Sequence, residues 1–189
     1  GTGEFLAVGQ LAGRVDIRDR EAMSSLFKQE KPDAVMHFAG LKAVAESVAK
    51  PFEYFDTNIA GSIVLLAAMR EAKVRHLVFS SSCTVYGNPV SLPVAEDAPQ
   101  AAITPYGLSK LTMERMLVDI AAMDPAFRYA SLRYFNPIGA HPSGRIGEDP
   151  RGVPNNLMPL ISQAAVGRRT DIKIFGGDWP TPDGTCVRD

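Results

Sequence analysis

Short apolar runs alternate along this chain with segments whose apolar residues recur every three or four positions. Arg14-Val15-Asp16-Ile17 reads as the end of a short strand. Asp19 is placed to cap a helix reaching about Gln29, in which Ala22, Met23, Leu26 and Phe27 fall near helical spacing. Pro32-Asp33 breaks that helix, and Ala34-Val35-Met36-His37-Phe38 predicts a strand buried on both faces, ended by Ala39-Gly40. A helical region follows from Ala43 to Ala72, divided at Pro51, a residue suited to a first helical turn. His76 to Ser81 predicts an apolar strand with a polar tip. After a loop carrying Pro89, Pro93 and Pro99, Pro105 opens an amphipathic helix with Leu108, Leu111, Met113, Met116, Leu117 and Ile120 as its apolar face. Tyr129 to Tyr134 predicts a further strand. Asn136 to Pro154 holds four prolines and four glycines and reads as a long loop. Leu157 to Val166 predicts a helix, Ile172 to Phe175 a short strand, and Gly176 to Asp189 a loop.

Strands alternating with helices imply an α/β fold: a parallel sheet with helices on both faces. Ligands in that architecture bind at the carboxyl ends of the strands. The positions to inspect are therefore Asp16, Ala39-Gly40-Leu41-Lys42, Ser80-Ser81-Ser82 and Asn136. A length of 189 residues allows one domain, at most one and a half. Apolar residues make up 46% and the net charge is −1, which argues against intrinsic disorder. That balance calls for neither nucleic acid nor an anionic membrane. Two cysteines far apart, Cys83 and Cys186, with three histidines make no zinc cluster, and read as free thiols in a reducing cytoplasm. The longest apolar stretch, Ile59 to Met69, is too short to span a bilayer, and Gly1 to Gln10 carries no signal-peptide pattern.

The most informative constellation is Tyr106-Gly-Leu-Ser-Lys110. Residues four apart on a helix share a face. An ammonium near a phenol favours phenolate, the tuning a tyrosine needs to act as a base near neutral pH. Tyrosine and lysine at this spacing also arise as ordinary surface packing. The context shifts the balance. Ser80-Ser81-Ser82 follows an apolar strand, and a serine there can address the same substrate oxygen as Tyr106. Serine, tyrosine and a lysine one turn later suggest carbinol–ketone chemistry with a nicotinamide cofactor, the tyrosine moving the hydroxyl proton.

Longer runs carry a resemblance. Phe38-Ala-Gly-Leu-Lys-Ala-Val44, Ser80-Ser-Ser-Cys-Thr-Val-Tyr-Gly87, Pro105-Tyr-Gly-Leu-Ser-Lys110 and Arg133-Tyr-Phe-Asn-Pro-Ile-Gly-Ala-His141 resemble the UDP-glucose 4-epimerase family, a branch of the extended short-chain dehydrogenases. So do Gly147-Glu-Asp-Pro150, Pro154-Asn-Asn-Leu-Met-Pro159 and Asp183-Gly-Thr-Cys-Val-Arg-Asp189. Related 4,6-dehydratases usually carry an acidic residue in the segment that here is Ser-Ser-Ser, which favours epimerisation. The resemblance implies a Rossmann-like doubly wound parallel sheet, with residues 1–135 a partial NAD-binding domain and 136–189 part of a UDP-sugar-binding region. It also implies an interior fragment, inactive alone: no strand precedes Gly1-Thr-Gly3, so the family's opening strand, glycine turn and helix are not seen, nor is its C-terminal part.

The activity so implied is 4-epimerisation of UDP-glucose and UDP-galactose, a step of galactose metabolism, through a 4-keto sugar on tightly bound NAD. A 4-epimerase of N-acetylated or uronic UDP-sugars, or an NAD-binding module without turnover, are the alternatives. Tyr106 would be the base, Lys110 would lower its pKa and contact the nicotinamide ribose, and Ser82 would hold the reacting oxygen. Asp16 and Ile17 would flank the adenine. Phe38, Ala39, Gly40 and Lys42 would line the pyrophosphate and nicotinamide side, with Thr57 and Asn58 under the ribose and Phe135 against the nicotinamide ring. Lys42, Asn136, Asn156, Leu157, Lys173, Phe175 and Arg188 would meet the sugar nucleotide, although Asn155-Asn156 suits a helix cap equally. His37, His141 and Cys83 read as structural. By the same resemblance a homodimer would form through the helices Pro51 to Ala72 and Pro105 to Met123.

Overall fold

A computed structural model of the chain describes residues 4–5, 15–139, 141–145, 154, 156–173 and 176–185. Its contacts divide the chain into two compact units, 1–134 and 135–189.

In the first unit, β1 (Glu4–Phe5) pairs antiparallel with β2 (Val15–Asp16). Helix α1 (Arg20–Glu30) starts where Asp19 accepts from the Ala22 amide, satisfying one of the unpaired amides of a first turn. It ends at Lys31 in a left-handed conformation just before Pro32. Strands β3 (Val35–His37), β4 (His76–Ser80) and β5 (Arg128–Leu132) form a parallel sheet in that order. The register sets Val35 beside Leu77 and Tyr129, and His37 beside Phe79 and Ser131. That face of the sheet lies in the core with Met23 and Phe27 of α1, Leu65 and Met69 of α4 (Gly61–Glu71), and Met113 and Leu117 of α5 (Pro105–Met123). A parallel sheet with flanking helices is a Rossmann-like fold. The expectation of a β3 buried on both faces is not met: Met36 and Phe38 are 56% and 55% exposed. An uninterrupted apolar run cannot by itself tell one covered face from two.

The helical region after Gly40 is more divided than its pattern suggests. It runs as α2 (Val44–Ala49), α3 (Pro51–Tyr54), a π-helical turn (Phe55–Ala60) and then α4. Pro51 occupies the first position of α3, as expected. The π-turn inserts an extra residue and swings Thr57 and Asn58 into the interior. Helix α5 also departs from its predicted face. Met113 and Leu117 are fully buried, but Leu108 is 45% exposed while Ser109, Lys110 and Glu114 are buried.

In the second unit, α6 (Leu157–Ala165) forms where expected. Ile172 and Lys173 belong to no strand, and the rest of that predicted strand lies outside the described residues. Among the described residues no helix is long and apolar enough to cross a membrane.

Candidate active site

Three segments of the first unit converge at the carboxyl end of the parallel sheet. The first is the tip of β4. Ser82 opens a short 3-10 turn, Cys83–Tyr86, and its Oγ accepts from the amide and hydroxyl of Thr84 at 3.2 and 3.0 Å. Its own proton can turn toward the phenol of Tyr106, whose ionised form the Ser82 hydroxyl favours.

The second segment is the first turn of α5. Thr104 caps it by accepting from the Gly107 amide at 3.1 Å, and Pro105 sits where a missing N–H costs nothing. Gly107 lets this turn press onto the 3-10 turn, because a Cβ there would lie 2.8 Å from the Thr84 carbonyl oxygen. Tyr106, at the second helical position, is buried with its ring edge-on to Tyr54. Burial raises the pKa of its phenol, and the nearby Ser82 hydroxyl works in the opposite direction. Lys110, one turn on, is buried as well. Its ammonium donates to the Ser80 carbonyl at 2.8 Å and stands 5.0 Å from the Phe79 ring centroid and 5.7 Å from that of Tyr106. Desolvation brings its pKa down to about 8. Its charge is held against a backbone carbonyl, over the Tyr106 ring.

The third segment is the turn after β3. Asn58, delivered by the π-turn, accepts from the Leu41 amide at 2.8 Å and donates to the Leu41 carbonyl at 3.0 Å and to Ser109 Oγ at 3.1 Å. Ser109 in turn donates to the Tyr106 carbonyl at 2.7 Å. One amide thus ties the turn after β3 to the helix that carries Tyr106. Both of its protons are spent within the protein. Gly40 fits beneath it because a Cβ there would fall 2.9 Å from Asn58 Oδ1. Ala39 is half-buried, Phe38 and Lys42 are exposed, and Thr57 is buried beside Asn58.

His37 lies under the same region. Ser62 spends its only proton on the Asn58 carbonyl, so the 2.9 Å contact to His37 must be donated by Nε2–H. Its Nδ1 is left as a buried acceptor without a partner among the described residues. Burial, with the Lys110 charge nearby, lowers its pKa to about 3, so the ring stays neutral, in keeping with a structural role.

Other predicted positions are placed differently. Both carboxylate oxygens of Asp16 are engaged by Arg18, at 2.6 to 3.0 Å, and Arg18 also reaches Asp56 at 2.7 Å. Ile17 is fully buried. Phe135, Asn136, Asn156, Leu157 and Lys173 belong to the second unit, where Asn136 is half-buried and the other four are exposed. Asn156 precedes α6 but makes no side-chain capping bond. Phe175, Arg188 and Asn155 lie outside the described residues. His141 is bound locally, its Nδ1 2.8 Å from Ser143 Oγ.

The sequence reading missed a cluster beside the site. Glu114, one turn beyond Lys110, accepts from Ser81 Oγ at 2.5 Å and pairs with Arg133 at 2.7 Å. Its signal was the spacing of Lys110 and Glu114, two charges one turn apart on the stripe that carries Tyr106.

A chain with serine, tyrosine and lysine arranged in this way matches a known family model, that of the NAD dependent epimerase/dehydratase family, over residues 9–189. The chain belongs to that family. Among its epimerase relatives, the UDP-glucose 4-epimerase of Yersinia pestis is 56% identical over 175 residues, covering 92% of this chain and 52% of the relative. The crystal structure of UDP-glucose 4-epimerase from Bifidobacterium longum in complex with NAD+ and UDP superposes with a TM-score of 0.85 at 49% identity, over 93% of this chain and 52% of that one. The Stenotrophomonas maltophila enzyme, with bound NAD and formylated UDP-arabinopyranose, gives a TM-score of 0.84 at 55% identity over the same shares, 93% and 52%. This epimerase/dehydratase chain spans about half the length of the relatives it matches.

Proposed function

We propose that the full-length protein is a UDP-glucose 4-epimerase, interconverting UDP-glucose and UDP-galactose on tightly bound NAD. One observation carries this: the Tyr106 phenol, the Ser82 hydroxyl and the Lys110 ammonium meet in one buried site, in a chain 49–56% identical to UDP-glucose 4-epimerases. The run Ser80-Ser81-Ser82 offers no carboxylic acid for eliminating water, which favours epimerisation over dehydration.

The residues present suit a nicotinamide dinucleotide. Lys110 makes a single hydrogen bond among the described residues, leaving ammonium protons for a ribose hydroxyl. Gly40, without a side chain, makes room for the Asn58 amide that holds the turn of residues 38–42. Phe38, Ala39, Gly40 and Lys42 would form the floor for the cofactor, with Lys42 also reaching the substrate diphosphate. Phe135 would meet the nicotinamide ring. The Asp16 carboxylate, though engaged by Arg18, keeps an exposed side where an adenine amino group could donate. Thr57 and Asn58 act from beneath, Asn58 by bracing.

When bound, NAD supplies a reversible hydride acceptor at sugar carbon 4, so that a 4-keto sugar links the epimers, and its cationic ring adds positive charge that favours the phenolate. Tyr106 then takes the proton of the 4-hydroxyl and later returns it. Ser82 donates to the same oxygen and steadies the charge that develops there. Lys110 holds a positive charge near the phenol ring and orients the cofactor ribose. Asn136, Asn156, Leu157, Lys173, Phe175 and Arg188 would hold the UDP-sugar, an assignment that rests on the resemblance. Purified full-length protein given UDP-glucose without added cofactor is expected to form UDP-galactose and to release NAD on denaturation. A preparation free of NAD that still epimerises would refute this reading.

Cys83, which is in no disulfide, is in keeping with a cytoplasmic enzyme. A homodimer through α4 and α5 is part of the same proposal. Ile63 and Met123 are exposed there and, with Leu66, Met116 and Ile120, line a groove of about 580 Å³. Light scattering on the full-length protein should give twice the chain mass, and a monomer at micromolar concentration would exclude the dimer.

A further inference from the structure

Glu114, buried, and Arg133, half-buried, form a two-pronged ion pair that none of the roles above uses. Arg133 donates to Glu114 Oε2 from Nη2 at 2.7 Å and to both carboxylate oxygens from Nε at 3.0 and 3.1 Å. Gln100 adds a bond to Oε2 at 3.3 Å. The remaining arm of the guanidinium reaches the Tyr86 hydroxyl and the Glu96 carbonyl, each at 2.6 Å, and its plane stands over the Tyr86 ring. Every nitrogen of the guanidinium and both carboxylate oxygens thus have a partner within the protein.

The grip extends to the segment that carries Ser82. Ser81, only 2% exposed, donates to Glu114 Oε1 at 2.5 Å. The amide of Cys83 donates to the carbonyl of Tyr134, the residue after Arg133, at 2.8 Å. Tyr86 closes the 3-10 turn and is held by Arg133 itself. Ser82 therefore sits between two fixed neighbours, on a turn pinned at both ends by the same ion pair and its adjoining strand end. Glu114 rides on α5, the helix that carries Tyr106 and Lys110. The pair locks the serine segment to the tyrosine helix.

Burying a carboxylate and a guanidinium is an inefficient way to gain stability, since apolar side chains of similar volume often serve as well or better. What the pair provides is direction. A fork of fixed geometry admits one orientation of the carboxylate, and that carboxylate admits one position of Ser81. We propose that Glu114 and Arg133 are positioning residues which, through Ser81, hold Ser82 against Tyr106 for proton transfer. The proposal deepens the epimerase reading and rests on it.

The cleanest test is Ser81→Ala in the full-length enzyme, which cuts the link and leaves the ion pair whole. A misplacement on the ångström scale can cost about 10²-fold in rate, so kcat is expected to fall by roughly ten- to a hundredfold. KM for UDP-glucose and the NAD content should stay within about twofold of wild type, the signature of an interaction made only in the transition state. The pH profile separates positioning from mere support. Ser82 lowers the Tyr106 pKa, so a displaced Ser82 should move the acidic limb of kcat to higher pH. Tyr54, Cys83 and Lys110 also face the phenol, and the substitution leaves them in place. Glu114→Gln keeps an acceptor for Ser81 and removes the charge. Its loss should be smaller than that of Ser81→Ala at equal stability.

Wild-type kcat and an unmoved acidic limb in Ser81→Ala would overturn the proposal. So would a kcat loss that only tracks a lower Tm. Absence of epimerase activity in the wild type would instead sink the reading of function. The clamp is then judged from the Tyr106 phenol titration, taken as the ultraviolet difference against Tyr106→Phe. An upward shift in Ser81→Ala supports it, and coincident curves refute it.

Discussion

Tyr106→Phe in the full-length protein is expected to lower turnover by about two to four orders of magnitude, the usual range for a lost acid–base group. The substitution removes one oxygen and keeps the ring that packs edge-on to Tyr54, so the fold should be retained. Ser82 keeps its two bonds from Thr84. UDP-sugar affinity and NAD content should change little. Steady-state kinetics together with a binding titration would check this. A Phe variant with near-normal turnover would show that proton transfer is carried out by another group.

Lys110→Met is expected to abolish most turnover while making the nucleotide-free protein more stable. The two effects come from the same burial. Among the described residues the ammonium has one hydrogen bond, to Ser80, and desolvation takes its pKa from the ordinary 10.5 down to about 8. Below pH 8 the folded protein must keep a charge that the unfolded chain carries more easily. The penalty is therefore fully present at neutral pH and fades as pH rises from 8 toward 10.5. Each factor of ten in proton affinity corresponds to 1.36 kcal/mol, so replacing the charge by an apolar stem should add about 1–3 kcal/mol after the lost hydrogen bond is counted. Urea unfolding of stripped protein at pH 7 would show it. A variant destabilised at pH 7 would mean that the Lys110 ammonium holds the fold together and that its burial carries no net penalty.

Much of this fold is visible in the chain because its punctuation is local. Asp19, Pro32, Pro51 and Pro105 act on the backbone beside them, and each marks a helix boundary in the structure. The apolar runs at Val35–His37 and His76–Ser80 form strands because short apolar runs bounded by breakers suit a sheet with at least one covered face. The site was legible as far as its members lie close in sequence: Tyr106 and Lys110 on one helical stripe, Ser82 at a strand tip. What escaped depends on partners far along the chain. Glu114 looks like a solvent-facing charge until Ser81 and Arg133, 33 and 19 residues away, are brought to it. Ser109 is buried because Asn58, 51 residues earlier, needs an acceptor. The π-turn that aims Asn58 has no composition of its own. Asp16 is the converse case. Its partner Arg18 is two residues away, and the pairing was there to be read.

In the proposed reaction Tyr106, Ser82 and Lys110 serve an oxidation and reduction at one sugar carbon, with the removed hydrogen given back. The decisive experiment is conversion of UDP-glucose by the full-length protein in deuterium oxide, with the product analysed by nuclear magnetic resonance. The expected product is UDP-galactose that retains its original hydrogen at carbon 4, with deuterium only at exchangeable positions. Deuterium fixed at carbon 4, or a 6-deoxy-4-keto sugar as the main product, would refute this chemistry.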